Sequence, residues 1–261
     1  MPNRWLAVAI SAFWVVMMTM LLERDILPHW KLNQRPDLIA VAKAEPNLEP
    51  VRWAVMQGED RVGTAETEWV KHSDGWMEFR GQLEFKEIPF TSGMAPMTGS
   101  GGLRWQSSFH ISPEGNMQQF DIFVYQGEPK PTMTVLGKLD GDIMKVVFRT
   151  SAFTHEEQFY YEPHSLMMTL LAPIDKLPNL RVGQTWQHHV MNPIPMLGGS
   201  ETVRCEVTCE QVITWRGDPV PTLVVEQTYG QMKARCWVAH DGTVLRQEVP
   251  IGWNPLVLEH E

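Results

Sequence analysis

From Val51 onward, apolar and polar residues alternate along most of the chain, and this alternation limits the possible folds more than any other feature. The clearest example is Trp76–Lys86, whose odd positions carry apolar side chains or glycine and whose even positions after Trp76 carry charged side chains or glutamine. Successive side chains of a β-strand point to opposite faces of the sheet. The pattern therefore predicts an antiparallel strand with one buried face.

The same alternation recurs in twelve further segments, separated by short turns rich in glycine, aspartate and asparagine. We predict these strands at Val51–Gln57, Arg61–Lys71, Arg104–Ser112, Met117–Gln126, Thr132–Leu139, Ile143–Thr150, Glu157–Glu162, Gln184–Asn192, Thr202–Trp215, Thr222–Tyr229, Gln231–Ala239 and Thr243–Val249. A sheet with so many strands has to curve, split into two layers or close. The predicted fold is mainly β: a strongly curved antiparallel meander, either an open barrel or a two-lobed sheet, with a short helix and a preceding N-terminal transmembrane helix.

The N-terminal segment Trp5–Leu22 is a run of 18 residues without a charge. As a helix it would span roughly 27 Å, close to the hydrocarbon thickness of a bilayer. A helix buried in a soluble core is the alternative, but this run has no polar face. Because the run ends without the small residues of a cleavage site, we expect an uncleaved anchor within residues 1–25. Positive charges flank both ends of the run, so they do not decide its orientation. The position of the run at the N-terminus favours a single-pass anchor in a bacterial cell membrane with the bulk of the chain extracytoplasmic.

Residues 26–50 contain four prolines and are predicted to form a stalk, and residues 51–261 are predicted to form the β-rich domain. Two segments interrupt the strand pattern. Residues 87–102 read as a long loop rich in glycine, proline and methionine, and His164–Leu171 reads as a short apolar helix that covers a sheet face or an open end. A lobe boundary is expected near residues 173–183.

Charge and motifs disfavour several function classes. The net charge of −9 argues against a nucleic-acid partner, which requires clustered Lys and Arg. His155–Gln158 begins like a zinc-protease motif, but position 159 is Phe159 and not the second histidine. His188 and His189 are adjacent and would point to opposite faces of a strand. We therefore predict no catalytic residue, no metal ligand and no cofactor.

The three cysteines are predicted to be buried. Cys205 and Cys209 both fall on the apolar side of the alternation and lie too far apart along a strand to bond each other. Cys236 also falls on an apolar face. A disulfide from Cys236 to Cys205 or Cys209 stays open as an alternative to three free thiols.

Three short motifs resemble segments of a family of β-rich domains that are anchored to bacterial membranes. Val51-x-Trp53 with Arg61-Val62-Gly63 resembles the first hairpin of that family, Leu180–Trp186 resembles the step into its second half, and Trp237–Arg246 resembles its closing hairpin. Such domains also occur before transglutaminase-like domains, and their architecture is similar to that of the LolA/LolB-like lipoprotein-localisation carriers. The resemblance covers about Val51 to Leu256 and implies a curved sheet that binds an apolar ligand.

The expected function is therefore non-enzymatic: binding of an apolar ligand, such as an acyl chain or lipid, or of a partner protein at the cell envelope. The alternative is a structural or accessory subunit of a membrane complex. A hydrolase is the least favoured class, because the sequence contains no evident nucleophile and base. We expect the ligand to lie between the curved sheet and the predicted short helix, in contact with aromatic and apolar side chains of both: Trp105, Phe109, Tyr160, Met167, Met168, Leu170 and Leu171.

Overall fold

The computed structural model describes residues 4–22, 35–36, 40, 43–44, 49–86, 102–163, 173–191, 200–230, 232–250 and 255–261. A helix, α1, spans Arg4–Leu21. The strands are β1 (Val51–Gln57), β2 (Asp60–Lys71), β3 (Met77–Phe85), β4 (Leu103–Ile111), β5 (Met117–Gln126), β6 (Met133–Asp140), β7 (Ile143–Thr150), β8 (Thr154–Tyr160), β9 (Thr185–Met191), β10 (Ser200–Trp215), β11 (Asp218–Tyr229), β12 (Met232–Ala239), β13 (Val244–Val249) and β14 (Leu256–His260).

The fourteen strands form one antiparallel sheet in which the first and the last strand lie side by side. Strands β1 to β8 follow one another outward in one direction, and strands β14 to β9 do so in the other. Two meanders are thus joined through the β1–β14 pair, where Val55 is in register with Leu258. Among the described strands β8 pairs only with β7 and β9 only with β10, so the sheet is not closed. The prediction of a mainly β antiparallel meander is confirmed.

One face of the sheet is buried on every strand except the edge strand β8. The main hydrophobic core contains buried side chains from thirteen of the fourteen strands, including the fully buried Trp53, Phe120 and Val207, and β8 adds only the half-buried Phe159. No second layer covers this inner face within the described residues, so the sheet has to curve and bury the face against itself. The two edges come close to each other, since Nε2 of His189 in β9 lies 3.3 Å from the carboxylate of Glu162, just beyond β8.

The connection between β8 and β9 docks on the turn that joins β12 to β13. The amide of Leu177 donates to the carbonyl of Gly242 at 2.8 Å, and Lys176 forms an isolated bridge with Thr243. Gly242 has a φ of 89°, and a Cβ at this position would lie 3.0 Å from Cα of Pro178. Glycine therefore permits both the turn and the contact. The predicted lobe boundary at residues 173–183 falls in this connection, while the core runs across both meanders.

Thirteen observed strands correspond to predicted segments, and the largest differences in bounds are at β8 and β11. The sequence pattern does not predict β14. That strand has only five residues, and only Leu256 and Leu258 in it are buried, which is too short a pattern to separate from a loop. It is nevertheless the strand that joins the two meanders.

The expectation that Cys209 lies on the buried face is wrong. Cys205 and Cys236 are buried, but Cys209 is exposed, and all three thiols are free. The register between β10 and β11 shifts between Val207 and Cys209. An extra residue in one strand reverses the side chains that follow it, so Cys209 takes the outer face.

The helix α1 coincides with the predicted apolar helix over Trp5–Leu21. Within the described parts of the chain, no helix combines the length and the apolar character that crossing a bilayer requires.

Gly137 and Phe120 test the packing of the inner face. They are in register on β6 and β5, and a Cβ at Gly137 would overlap the ring of Phe120. We predict that Gly137→Ala lowers the free energy of unfolding by about 1–3 kcal/mol because the core has no room for the methyl group. Urea denaturation measures this loss. In a Phe120→Leu background the loss should shrink by about half or more, and an equal loss in both backgrounds would contradict this packing.

Candidate ligand-binding site

Two of the predicted ligand-binding residues, Trp105 and Phe109, lie on the inner face of β4. Both are buried, at 7% and 4% exposure. The ring of Phe109 lies between Phe79 and Phe120, with centroid distances of 6.2 and 6.3 Å. Phe109 therefore belongs to a packed aromatic cluster. The indole Nε1 of Trp105 is buried and has no hydrogen-bond partner within the described chain.

The structure does not bring Tyr160 to these two residues. Tyr160 lies at the end of the edge strand β8, four strands away from β4, and its side chain is 66% exposed. Its neighbour Tyr161 is buried instead, and its hydroxyl oxygen accepts a hydrogen bond from the amide of Met117 at 2.9 Å. Because adjacent residues of an extended chain point in opposite directions, the inward aromatic side chain at this edge is the one that follows the predicted residue.

The remaining predicted ligand-binding residues lie outside the described residues, as does most of the long loop of residues 87–102. They are Met167, Met168, Leu170 and Leu171.

A row of polar side chains crosses the inner face of the second meander. It consists of His188 on β9, Cys205 on β10, Gln227 on β11, Cys236 on β12 and Gln247 on β13, and we call it the inner polar row. All five residues are at least 93% buried. Cys205 is in register with Gln227, and Cys236 is in register with Gln247. The row is therefore continuous across five neighbouring strands.

Contacts along the inner polar row are weak ones that involve sulfur. Nδ1 of His188 lies 3.8 Å from Sγ of Cys205, and the amide nitrogen of Gln227 donates to Sγ of Cys236 at 3.7 Å. Three polar atoms of the row have no hydrogen-bond partner among the described residues: Nε2 of His188, Oε1 of Gln227 and Oε1 of Gln247. Buried polar atoms of folded proteins nearly always have a protein, water or ligand partner.

Burial keeps the inner polar row uncharged. It lowers the pKa of His188 to about 4, and the positive charges of Arg35 and His189 act in the same direction. Burial raises the pKa of Cys236 to about 12 and raises that of Cys205 well above its usual range. At neutral pH the row therefore contains a neutral imidazole and two protonated thiols.

The outer face carries a different feature, a groove of about 290 Å³ across β2 to β5. Most of the residues that line it are of polar type, and they include Glu66, Glu68, Arg80, Gln82, Gln106, Ser108 and Asp121, together with Phe123. Beside it, Glu78 accepts hydrogen bonds from Nε and Nη2 of Arg80, at 2.9 and 2.8 Å, and from the hydroxyl of Ser108 at 2.6 Å. The hydrogen bonds from Arg80, helped by Ser108, lower the pKa of Glu78 to about 2 although burial opposes the shift.

Ser108, His110 and Asp121 lie close together beside this groove but not in the geometry of a catalytic triad. Oγ of Ser108 and Oδ2 of Asp121 both approach Nε2 of His110, at 3.4 and 3.9 Å. A triad requires the nucleophile and the acid on opposite ring nitrogens. The described residues also contain no group of three His, Cys, Asp or Glu side chains arranged to hold a metal ion.

Sequence reasoning identifies part of the inner polar row and misses the rest. His188 and His189 do point to opposite faces as predicted, one buried and one exposed. The glutamines were the available signal. Leu223, Val225 and Tyr229 indicate that the odd-numbered residues of β11 point to the buried face, and Gln227 is one of these odd-numbered residues. A polar residue at such a position indicates a polar group in the interior.

His188 gives a stability prediction with His189 as its control. The unfolded chain takes up a proton near pH 6.5 and the folded chain only near pH 4, so the protein should lose on the order of 2–3 kcal/mol as the pH falls across that window. His188→Gln should flatten this part of the profile, whereas His189→Gln, on the opposite face, should keep most of it, because burial and not the charge of His189 is the main cause of the shift. Urea denaturation of the full chain in mild detergent, repeated between pH 6.5 and pH 4, measures how the free energy of unfolding changes with pH. Identical slopes for both variants would contradict the burial of a neutral His188.

Glu78 gives the complementary prediction at lower pH. Its folded-state pKa is below its unfolded value of 4.5, so its contribution is present above that pH and is lost as the pH falls towards 2. Because Arg80 is half exposed, we expect a contribution on the order of 2 kcal/mol. Glu78→Gln should remove it, whereas Glu84→Gln, at an exposed carboxylate of the same strand, should not. Urea denaturation measures the free energy of unfolding at each pH. If Glu78→Gln loses as much stability as the wild type between pH 4.5 and pH 2, the proposed contribution of Glu78 is refuted.

The chain is similar to a β-barrel-like protein of the domain of unknown function DUF1849 from Brucella abortus, with a TM-score of 0.47 and 10% sequence identity, over 82% of this chain and 95% of that chain. No family model matches the chain. No curated protein matches it either.

Proposed function

We propose that this protein is a membrane-attached, non-enzymatic binding module of the cell envelope, in which α1 contacts the bilayer and the curved sheet binds an apolar ligand such as an acyl chain or lipid. The observation that carries ligand binding is the apolar inner face of an unclosed sheet, which includes buried polar atoms without a partner in the described chain. The resemblance to LolA/LolB-like carriers supports the same proposal, because it implies a curved sheet around an apolar ligand.

Membrane attachment is supported by the side chains of α1. Apolar residues on all sides of the helix are more than half exposed, including Ile10, Phe13, Trp14, Val15 and Val16. A helix that is apolar all round is stable only when something apolar surrounds it. The hydroxyl of Thr19 donates to the carbonyl of Val15 at 2.8 Å, so its polar hydrogen is satisfied within the helix. A lipid bilayer is the surrounding that we propose.

Different parts of the inner face suit different roles. Around Phe120 the first meander is filled, since the ring lies directly against Gly137. The second meander contains the inner polar row, with its buried atoms that lack partners. We therefore place the ligand against β9 to β13 and treat Phe109 as part of the structural core.

A non-enzymatic role is supported by the state of the candidate nucleophiles. Burial keeps Cys205 and Cys236 as thiols, and a thiol is a poor nucleophile compared with its thiolate. The hydroxyl of Ser108 donates its hydrogen to the carboxylate of Glu78 at 2.6 Å and not to Nε2 of His110, which lies farther away at 3.4 Å.

The second candidate is an accessory subunit that docks on a partner protein. The observation that favours it is the outer groove across β2 to β5, where Glu66, Glu68 and Asp121 outnumber the single cation Arg80 in the lining. A partner with a basic surface would complement this groove. Ligand binding and docking use opposite faces of the sheet, so each can be tested without the other.

Membrane attachment can be tested with two valines of equal exposure. Val15 on α1 is 65% exposed and Val212 on β10 is 64% exposed. We predict that Val15→Asp reduces flotation of the full chain with phospholipid vesicles by roughly tenfold or more, because a charge within an apolar helix disfavours transfer into lipid. Val212→Asp should float like the wild type. Equal flotation of both variants, or no flotation of the wild type, would contradict attachment through α1.

Ligand binding can be tested by native mass spectrometry of the full chain extracted in mild detergent. We predict adducts whose masses correspond to one lipid per chain, surviving removal of the detergent, because a buried acyl chain is held by a large apolar area. Denaturing spectra of the same sample give the mass of the bare chain as the control. A chain that stays bare after incubation with excess acyl lipid would refute ligand binding and leave the accessory-subunit candidate.

A further inference from the structure

The inner polar row is an unusual feature of an otherwise apolar interior. It joins five neighbouring strands through His188, Cys205, Gln227, Cys236 and Gln247, and three of its atoms lack a hydrogen-bond partner in the described chain. Leaving such atoms unpaired costs folding free energy. Apolar residues of similar volume would avoid that cost, so the row calls for a partner that enters from outside the protein.

We infer that the inner polar row binds the uncharged, hydroxyl- or amide-bearing head group of the apolar ligand, a site that rests on the proposed ligand-binding function. The ligand class is thus a neutral amphiphile, with its chain against the apolar inner face and its head against β9 to β13.

The balance of donors and acceptors supports this class. The protonated thiol of Cys205 can donate to Nδ1 of His188, which leaves the ring hydrogen on Nε2 as a donor. The two unpartnered oxygens, Oε1 of Gln227 and Oε1 of Gln247, are acceptors. A hydroxyl group both donates and accepts, so a head group with two hydroxyls supplies the hydrogens that the two glutamine oxygens lack and lone pairs that can accept from the ring N–H of His188.

Charge also supports a neutral head group. The row contains no ionised side chain, because burial keeps the imidazole neutral and the thiols protonated. An ion placed against it would lose its hydration without gaining a counter-charge. Two basic residues, Arg35 and His189, act on the row, but both are exposed to solvent and each takes part in another interaction. A neutral head group avoids the desolvation cost that an anion would bear.

The test compares two ligands with the same acyl chain, mono-oleoylglycerol with a neutral diol head and oleate with an anionic head. The delipidated full chain is incubated with an equimolar mixture, and native mass spectrometry gives the ratio of the two adducts. We expect the wild type to favour mono-oleoylglycerol by roughly fivefold or more, about what one or two neutral hydrogen bonds supply. Gln247→Leu should bring the ratio close to one while total binding persists.

Two further variants make the result decisive. Gln227→Leu should reduce the ratio in the same way, and it replaces Gln247→Leu if that variant does not fold, as judged by its thermal transition. Gln82→Leu is the matched control, since Gln82 lies exposed on the outer face of β3 and should keep the wild-type ratio.

The outcomes separate this inference from the proposed function. Binding of both ligands without preference overturns the inference but leaves apolar-ligand binding intact. A preference that both inner-face variants retain has the same consequence, and it would point to ordered water as the partner of the row. Absence of adducts with either ligand refutes the proposed function and the inference together. A preference that is lost only in the inner-face variants supports both.

Discussion

The structure depends on how a single sheet buries one face without a second layer. Thirteen of the fourteen strands supply buried side chains to one core, and the described residues provide no helix or second sheet that covers it. The sheet therefore has to curve until its inner side chains contact each other across the interior. The pairing of β1 with β14 makes this possible, because it joins two meanders into one continuous surface. The edges β8 and β9 then come close without pairing, and the His189–Glu162 contact lies where they approach.

Strand periodicity is strong enough to predict this fold class and most of its strands from the sequence. Alternation over eight or more residues, as in β3, has a low chance of arising in a loop, and the glycine-rich turns separate one strand from the next. The same reasoning fails where the signal is local. β14 has only two buried positions, and the register shift after Val207 reverses the face of Cys209 without any mark in the pattern. Pairing with the neighbouring strands decides both whether β14 forms and which face Cys209 takes. That pairing is a property of the whole fold and not of either segment.

The candidate site was less accessible to sequence reasoning for a related reason. Trp105 and Phe109 are inward residues of β4, as their parity predicts, but only the fold reveals that Phe109 is packed between two other aromatic rings. At the end of β8 the buried tyrosine is Tyr161, which follows the strand, and not Tyr160, because a difference of one residue reverses the face. The inner polar row draws one residue from each of five strands, so no segment of the chain contains its pattern. In the sequence, the row is indicated only by polar residues at positions where the alternation predicts a buried side chain, such as Gln227.

The proposals connect these features in a single account. We propose that an exposed apolar helix attaches a curved sheet to a bilayer, and that the inner face of the sheet takes up an apolar ligand whose neutral head lies against the inner polar row. The most direct measurement is a high-resolution crystal structure of the full chain purified from membranes. We predict continuous, elongated electron density along the inner face that ends within hydrogen-bond distance of His188, Gln227 and Gln247. An interior filled by side chains alone, or holding only separate water molecules at these atoms, would contradict the account.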